Sequence, residues 1–283
     1  MESLTFTNSR GQSITFTDSA PFMMQKLDGT GCPDTTLQMT KAPYQDGKTL
    51  QDVLLEERSI TIEGVILAQN KEDLYIKRKL LSQVLNPKLN LGNINYQNDI
   101  GEKAIQAVSE HSPVFKDAFS ASQKFLITFN CPEPFWLDIF INSTQLAYIM
   151  GGLKFPLKIP TKLSESTYKR ILTNTGDVDT PLLIEFYGPA INPTIKNNTT
   201  GEFIIVKREL KETDKLIIST EFGNKRVEIE DNLGNKTNVF NWIDLSSSFF
   251  KLIVGDNEIE YTSNNDSKKS KVIIKYVNRY VGV

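Results

Sequence analysis

The chain holds one histidine, two cysteines and two tryptophans in 283 residues, and each scarcity closes off a class of chemistry. The single histidine, in Glu110-His111-Ser112-Pro113, would have to be the base of any serine-hydrolase triad, yet no G-x-S-x-G elbow supplies the nucleophile. Cys32 and Cys131 lie far apart, and neither forms a C-x-x-C pair. With His111 they lack the ligand spacing of a metal site, so both are read as free thiols. There is no Walker A run, and no G-x-G-x-x-G opens a helix after a strand. No stretch approaches the roughly 18 apolar residues of a membrane-spanning helix. Met1-Glu2-Ser3-Leu4-Thr5-Phe6 alternates polar and apolar residues where a secretory signal would place a basic region and an apolar core, so no signal is expected. Neither sign of charge dominates: 32 Lys and Arg face 34 Asp and Glu, a net charge of -2. A nucleic-acid partner would call for a basic stripe, and a membrane-surface binder for a polybasic cluster. Neither is expected.

Carboxylates are plentiful but unconvincing as a site, although glycosidases need only two of them. Asp177 with Asp179, and Glu228, Glu230 and Asp231, are read as solvated turns and strand edges. Asp231-Asn232-Leu233-Gly234-Asn235 lacks the closing Glu of a calcium loop. Trp242, Phe240 and Tyr261 are candidates for weak carbohydrate contact, weighed against a place in the core. Lys268-Lys269-Ser270-Lys271 reads as a charged hairpin loop. No catalytic, cofactor-binding or metal-binding residue is therefore predicted, no cofactor is expected, and the chain is expected not to be an enzyme.

What the chain does have is apolar mass. Hydrophobic residues make up 39% and aromatics 10%, with 16 Phe and 9 Tyr, enough for two cores in a chain long enough for two domains. The patterning is that of strands. Leu4 and Phe6, then Ile14 and Phe16, alternate with Thr and Ser around Asn8-Ser9-Arg10-Gly11, a hairpin signature. Prolines and glycines break any period over 19–57, which is read as a long loop and short-strand region including a protruding arm. Arg58 to Leu67 reads as a strand with Ile60 and Ile62 on one face.

One helix follows, with Asn70 as N-cap and Asp73 three residues on. Leu74, Leu80, Leu81, Val84 and Leu85 are expected on its apolar face, with Pro87 as its stop. Leu89-Asn90-Leu91 and Ile94-Asn95-Tyr96 read as a second hairpin, followed by strands at Lys103 to Val108 and Phe125 to Phe129. Cys131-Pro132-Glu133-Pro134-Phe135-Trp136 is read as the exit from a first domain, 1–137. A second domain, 138–283, begins with a blurred stretch up to about 165. Strands are then expected around Leu182 to Phe186, Ile204 to Val206, Lys215 to Ser219, Arg226 to Ile229, Phe249 to Val254, Glu258 to Tyr261 and Lys271 to Val277. This rhythm, with turns between, marks an antiparallel β-sandwich. The expected fold is mainly β, with one helix in the first domain.

The order of these signatures resembles the siphovirus-type distal tail protein family. The carriers are Ala42-Pro43-Tyr44-Gln45-Asp46-Gly47, the strand Arg58 to Gly64, and the helix with Lys77-Arg78-Lys79-Leu80-Leu81. Asn95-Tyr96-Gln97-Asn98-Asp99 and Phe129 to Trp136 follow. Asn174-Thr175-Gly176-Asp177-Val178-Asp179-Thr180-Pro181, Gly188 to Pro193, and Gly255-Asp256-Asn257-Glu258-Ile259-Glu260-Tyr261 complete them. The resemblance implies an N-terminal domain that assembles into a hexameric ring and a C-terminal galectin-like sandwich projecting from it. It implies a structural hub between the tail-tube protein and a tail-tip or fibre protein of a phage, prophage or contractile tail-like particle, made in the bacterial host cytoplasm and carried in the virion tail. The alternative is a carbohydrate-binding module for host cell-wall sugars.

Overall fold

The computed structural model describes residues 2–147, 168–264 and 271–283. The chain divides into two compact units, one built from residues up to Ile139 together with Tyr280–Val283, the other from Phe140–Arg279.

The first unit is a strongly connected antiparallel sheet with one helix. Its strands are β1 (Ser3–Thr7), β2 (Ser13–Phe16), β3 (Phe22–Asp28), β4 (Thr35–Thr40), β5 (Thr49–Leu55), β6 (Arg58–Leu67), β7 (Gly92–Gln97), β8 (Glu102–Ser109), β9 (Val114–Phe119), β10 (Ser122–Cys131) and β11 (Trp136–Asp138). The main path runs β2-β1-β7-β8-β10-β6-β3, with β9 added to β10 and β11 to β8. Strict alternation drives it. In β6, Ile60, Ile62 and Ile66 point inward, and in β10 Phe125, Ile127, Phe129 and Cys131 do the same. Period two places every second side chain on one face, and burying each large apolar side chain contributes about 1.5–3 kcal/mol. Phe6 and Phe129 meet at 4.9 Å between ring centroids, and Tyr96 and Trp136 at 5.8 Å. Gly64 lies opposite Phe125, and a Cβ there would stand 2.5 Å from the Phe125 ring. Only glycine leaves room for that aromatic.

Helix α1 (Lys71–Val84) starts where expected. Asn70 Oδ1 accepts from the Asp73 backbone N–H at 2.8 Å, and Asp73 Oδ2 accepts from the Gln69 N–H at 2.9 Å, satisfying two donors reciprocally. Leu74, Leu81, Val84 and Leu85 are buried. Leu80 is not: at 42% exposure it faces outward beside Tyr75 and Ile76, correcting the expectation that it shares the apolar face. The helix ends before Pro87, which opens a separate 3-10 turn, Pro87–Leu89. The expected hairpin of 89–91 with 94–96 is therefore also corrected. β7 pairs with β1 and β8 instead, and Asn8 Nδ2 reaches the Val84 carbonyl at 3.2 Å, tying the first hairpin to the helix end.

The second unit is a sandwich. Its strands are β12 (Asn142–Ala147), β13 (Tyr168–Asn174), β14 (Leu183–Tyr187), β15 (Ala190–Ile191), β16 (Thr194–Asn197), β17 (Phe203–Ile205), β18 (Glu209–Leu210), β19 (Lys215–Ser219), β20 (Arg226–Glu230), β21 (Lys236–Asn238), β22 (Gly255–Thr262) and β23 (Lys271–Tyr276). One sheet has the order β12-β23-β14-β19-β20-β21, the other β13-β22-β16-β17. Ile184, Phe186, Leu216, Ile218, Val272 and Ile274 of the first sheet are buried in one core with Leu172, Ile195, Ile204, Ile259 and Tyr261 of the second. Phe186 and Tyr261 lie 5.7 Å apart.

The strand expected over Phe249 to Val254 does not form; Leu252 makes only an isolated bridge to Thr180. Side chains take the backbone groups that a ladder would have used. Asn257 Oδ1 accepts from the Ile253 N–H at 3.1 Å while its Nδ2 donates to the Ile253 carbonyl at 2.8 Å, and Asn174 Nδ2 donates to the Leu252 carbonyl at 3.1 Å. Much of the blurred stretch at 138–165 lies outside the described residues, as does most of the Lys268 to Lys271 loop.

Candidate assembly interface

The residues that could carry chemistry are scattered or engaged. The His111 ring Nδ1 stands 2.9 Å from the Ser112 carbonyl. Cys131 is buried, which pushes its thiol up to about 12 despite the neighbouring Arg58, whereas Cys32 is exposed. Asp177 and Asp179 are exposed. Asp231 closes its own turn, accepting from the N–H groups of Leu233 and Asn235 and from Asn235 Nδ2. The hydrogen bonds from Asn235 hold its carboxyl below the usual range. Glu228 stands 3.8 Å from Arg226, and Glu230 3.7 Å from Lys215. Among the described residues no group of three His, Cys, Asp or Glu is placed to hold a metal ion.

The aromatic candidates divide. Tyr261 is core, and Trp242 is packed partly against it beneath the Arg208 guanidinium, 5.5 Å from its ring centroid. Phe240 is 45% exposed and stacked on Phe249 at 5.5 Å. On the outer face of the six-stranded sheet, Glu185 accepts from Lys275 Nζ at 2.8 Å and from the Tyr187 hydroxyl at 3.0 Å, with Lys215 Nζ at 3.7 Å.

The conspicuous surface is the arm. β4 and β5 pair with each other and, among the described residues, with no other strand. Directly paired residues share a face. Leu37 pairs with Val53 and Met39 with Leu50, while Thr36 pairs with Leu54, Gln38 with Asp52 and Thr40 with Thr49. A bulge between Gln38 and Met39 absorbs one residue of β5. Without it, Leu50 would fall on the polar face; with it, Leu37, Met39, Leu50 and Val53 form one apolar stripe. All four are exposed, Leu50 at 54%. Tyr44, with φ of 64°, stands fully exposed in the connecting turn. A two-stranded hairpin is marginal in water, and exposed edges are usually guarded by Lys or Pro. Neither residue occurs in these two strands.

The arm is rooted on Arg58, the first residue of β6, which sequence reasoning passed over. It shares strand parity with Ile60 and Ile62, so the alternation itself places it inward; a charge on a core face is the signal. The side chain is 1% exposed. Its Nε donates to the Pro134 carbonyl at 2.9 Å, Nη1 to the carbonyls of Gly29 at 2.6 Å and Gly31, and Nη2 to that of Val281 at 2.6 Å. The guanidinium lies 5.7 Å from the centre of the Trp136 ring. Burial lowers its pKa, and the fork of donors is met by carbonyl dipoles. At Gly29, with φ of 96°, a Cβ would strike the Ser59 carbonyl at 2.1 Å, so glycine is required where the chain leaves for the arm.

Two family models match in sequence. Residues 9–131 match the phage tail protein RIFT-related domain, and residues 175–280 the siphovirus-type tail component, C-terminal domain. In structure the chain is similar to the Dit protein of phage SPP1, described as a paradigm of the hub adsorption apparatus in phages infecting Gram-positive bacteria. The TM-score is 0.72 at 13% identity, over 99% of both chains. It is also similar to a chain of the phage P2 baseplate in its activated conformation with Ca, with a TM-score of 0.56 at 12% identity over 100% of this chain and 99% of that one. The phage p2 baseplate with Sr gives 0.52 at 12% identity over 97% and 98%. At these identities the likeness is one of fold. No curated protein matches the sequence.

Proposed function

The chain belongs to the siphovirus-type distal tail protein family, and on that premise we propose that copies of it close into a six-fold ring through the first unit, joining the tail tube to the adhesion apparatus. It is a structural hub protein of the phage tail tip, working in assembly with other tail proteins. The finer reading is that the tail-tube protein binds one side of the ring and the tail-tip or fibre protein the other, that the galectin-like second unit projects outward, and that no reaction is catalysed. Synthesis would take place in the host cytoplasm.

The apolar stripe of the arm supports this reading most directly. A closed ring needs two different, complementary surfaces on each subunit. The arm supplies one, with unpaired main-chain edges for strand addition and an apolar face to bury. Light scattering on the purified chain, alone and with its tail-tube protein, tests it. A mass of six subunits or a stacked pair of rings is expected; a single-subunit mass under both conditions would reject the ring.

A second reading, contact with cell-wall sugar, is favoured by one observation, the 45% exposed ring of Phe240 stacked on Phe249. Host cell-wall pulldown with the whole protein and with Phe240→Ala decides it: equal retention of both, or none of either, removes that reading.

A further inference from the structure

Residues Tyr280–Val283 follow the second unit in sequence yet belong to the first, and where they lie is informative. The Val281 carbonyl takes the Arg58 Nη2 donor at 2.6 Å, and the Val283 N–H donates to the Thr30 carbonyl at 3.1 Å. Gly282 runs past Thr30 and Gly31 closely enough that a Cβ on it would stand 3.5 Å from their backbone. Upstream, Tyr280 is pinned: its hydroxyl lies 3.3 Å from Asp138 Oδ2, and Lys103 Nζ, 2.5 Å from Asp138 Oδ1, sits 3.8 Å from the centre of its ring. Thus Gly282 and Val283 reach the 29–31 segment from which the arm departs, and one buried guanidinium bonds both segments together.

We propose that Tyr280–Val283 is a strap that fixes the root of the arm, and that the arm becomes competent to assemble only after the second unit has been made and the strap has docked. Without the strap, Arg58 loses one of its carbonyl acceptors inside the core and the Thr30 carbonyl loses its donor. The remaining bonds to Gly29 and Gly31 then act on a segment free to turn about a left-handed glycine. A buried donor without an acceptor is costly, and the cheapest relief is movement of the root. Since 140–279 intervenes between Ile139 and Tyr280, a chain interrupted in the second unit has an arm but no strap. Incomplete subunits would then be kept out of the ring. The competence step rests on the assembly reading; the strap itself does not.

The test uses the native thiols. Cys32 is exposed at the root while Cys131 is buried, so a nitroxide reagent marks the root selectively. The full chain, a chain ending at Arg279, and Val283→Pro, which removes only the donor to Thr30, are labelled and compared. The expected result is a shift from a restricted to a mobile, nanosecond-scale spectrum in the shortened chain, a smaller shift in Val283→Pro, and loss of ring from the shortened chain with its cores intact by circular dichroism. An unchanged spectrum in a folded shortened chain overturns the strap. A mobile root in a chain that still forms rings overturns the competence step. Should the shortened chain not fold, an unchanged spectrum in Val283→Pro overturns the strap. If the full chain itself forms no ring, the assembly reading fails while the spectra still decide the strap.

Discussion

Arg58 and Val281 stand 223 positions apart in sequence and are joined by a hydrogen bond of 2.6 Å. The bond links the first residue of a central strand to a segment that returns after the whole second unit. Through the same guanidinium it links the domain exit at Pro134 to the arm root at Gly29. A charged residue is tolerated in that core because each direction of its fork meets a carbonyl.

Arg58→Met, which keeps an unbranched apolar stem and removes the donors, should destabilise the first unit by about 3 kcal/mol or more, since several buried carbonyls are left without donors. Arg58→Lys should recover little of this, because a point-like ammonium cannot serve divergent acceptors. Urea unfolding followed by Trp136 fluorescence in a Trp242→Phe background, which removes the tryptophan of the second unit, reads the effect locally.

Leu37→Asp combined with Leu50→Asp should abolish self-association while leaving subunit stability within about 0.5 kcal/mol, because both side chains are already exposed. Leu54→Asp, on the opposite face of the arm, should leave association intact. Sedimentation velocity separates the two. Equal behaviour of both variants would contradict a one-sided docking face.

Leu81→Ala should cost about 2–5 kcal/mol, the range for truncating a buried leucine, and Leu80→Ala, one residue away, about 0.5 kcal/mol or less. Thermal denaturation of the pair tests the corrected face of α1.

Glu185 links acid stability to the second unit. Burial alone would raise its pKa, but the hydrogen bonds from Lys275 and Tyr187 and the charges of Lys215 and Lys275 together bring it below its ordinary 4.5. A carboxylate with a depressed folded pKa contributes stability that is complete above its unfolded value and is lost as pH falls through the folded one. Stability should therefore decline as pH falls below about 4.5. Glu185→Gln should flatten that limb, measured by urea midpoints across pH 3–6 with Trp242 fluorescence in a Trp136→Phe background. An identical acid limb in the variant would exclude this role.

Legibility in the sequence followed the strength of local periodicity. The first hairpin, β6, α1 with its Asn70 cap, β10, and β14, β19 and β20 were readable because one face of each is buried, which imposes a period on the residues. β3 was not, because it lies at a sheet edge with a bulge between Met24 and Lys26, and Lys26 and Asp28 face solvent. β9 is exposed along most of its length and so carries no alternation to find. The Phe249 to Val254 stretch is apolar enough for a strand, but Asn174 and Asn257 satisfy its backbone from elsewhere.

Composition and order alone determined that the protein is mainly β, that it carries one capped helix early in the chain, and that it has the signatures of a tail component. These are local or serial properties, written in side-chain parity and turn chemistry. Only the tertiary structure decided that the bulge in the arm gathers Leu37, Met39, Leu50 and Val53 on one face, and that Arg58 meets Gly29, Pro134 and Val281 together. Those facts depend on register and on contacts between distant segments. A one-residue shift inverts a strand's faces, and a carbonyl becomes an acceptor only where the folded chain has brought it.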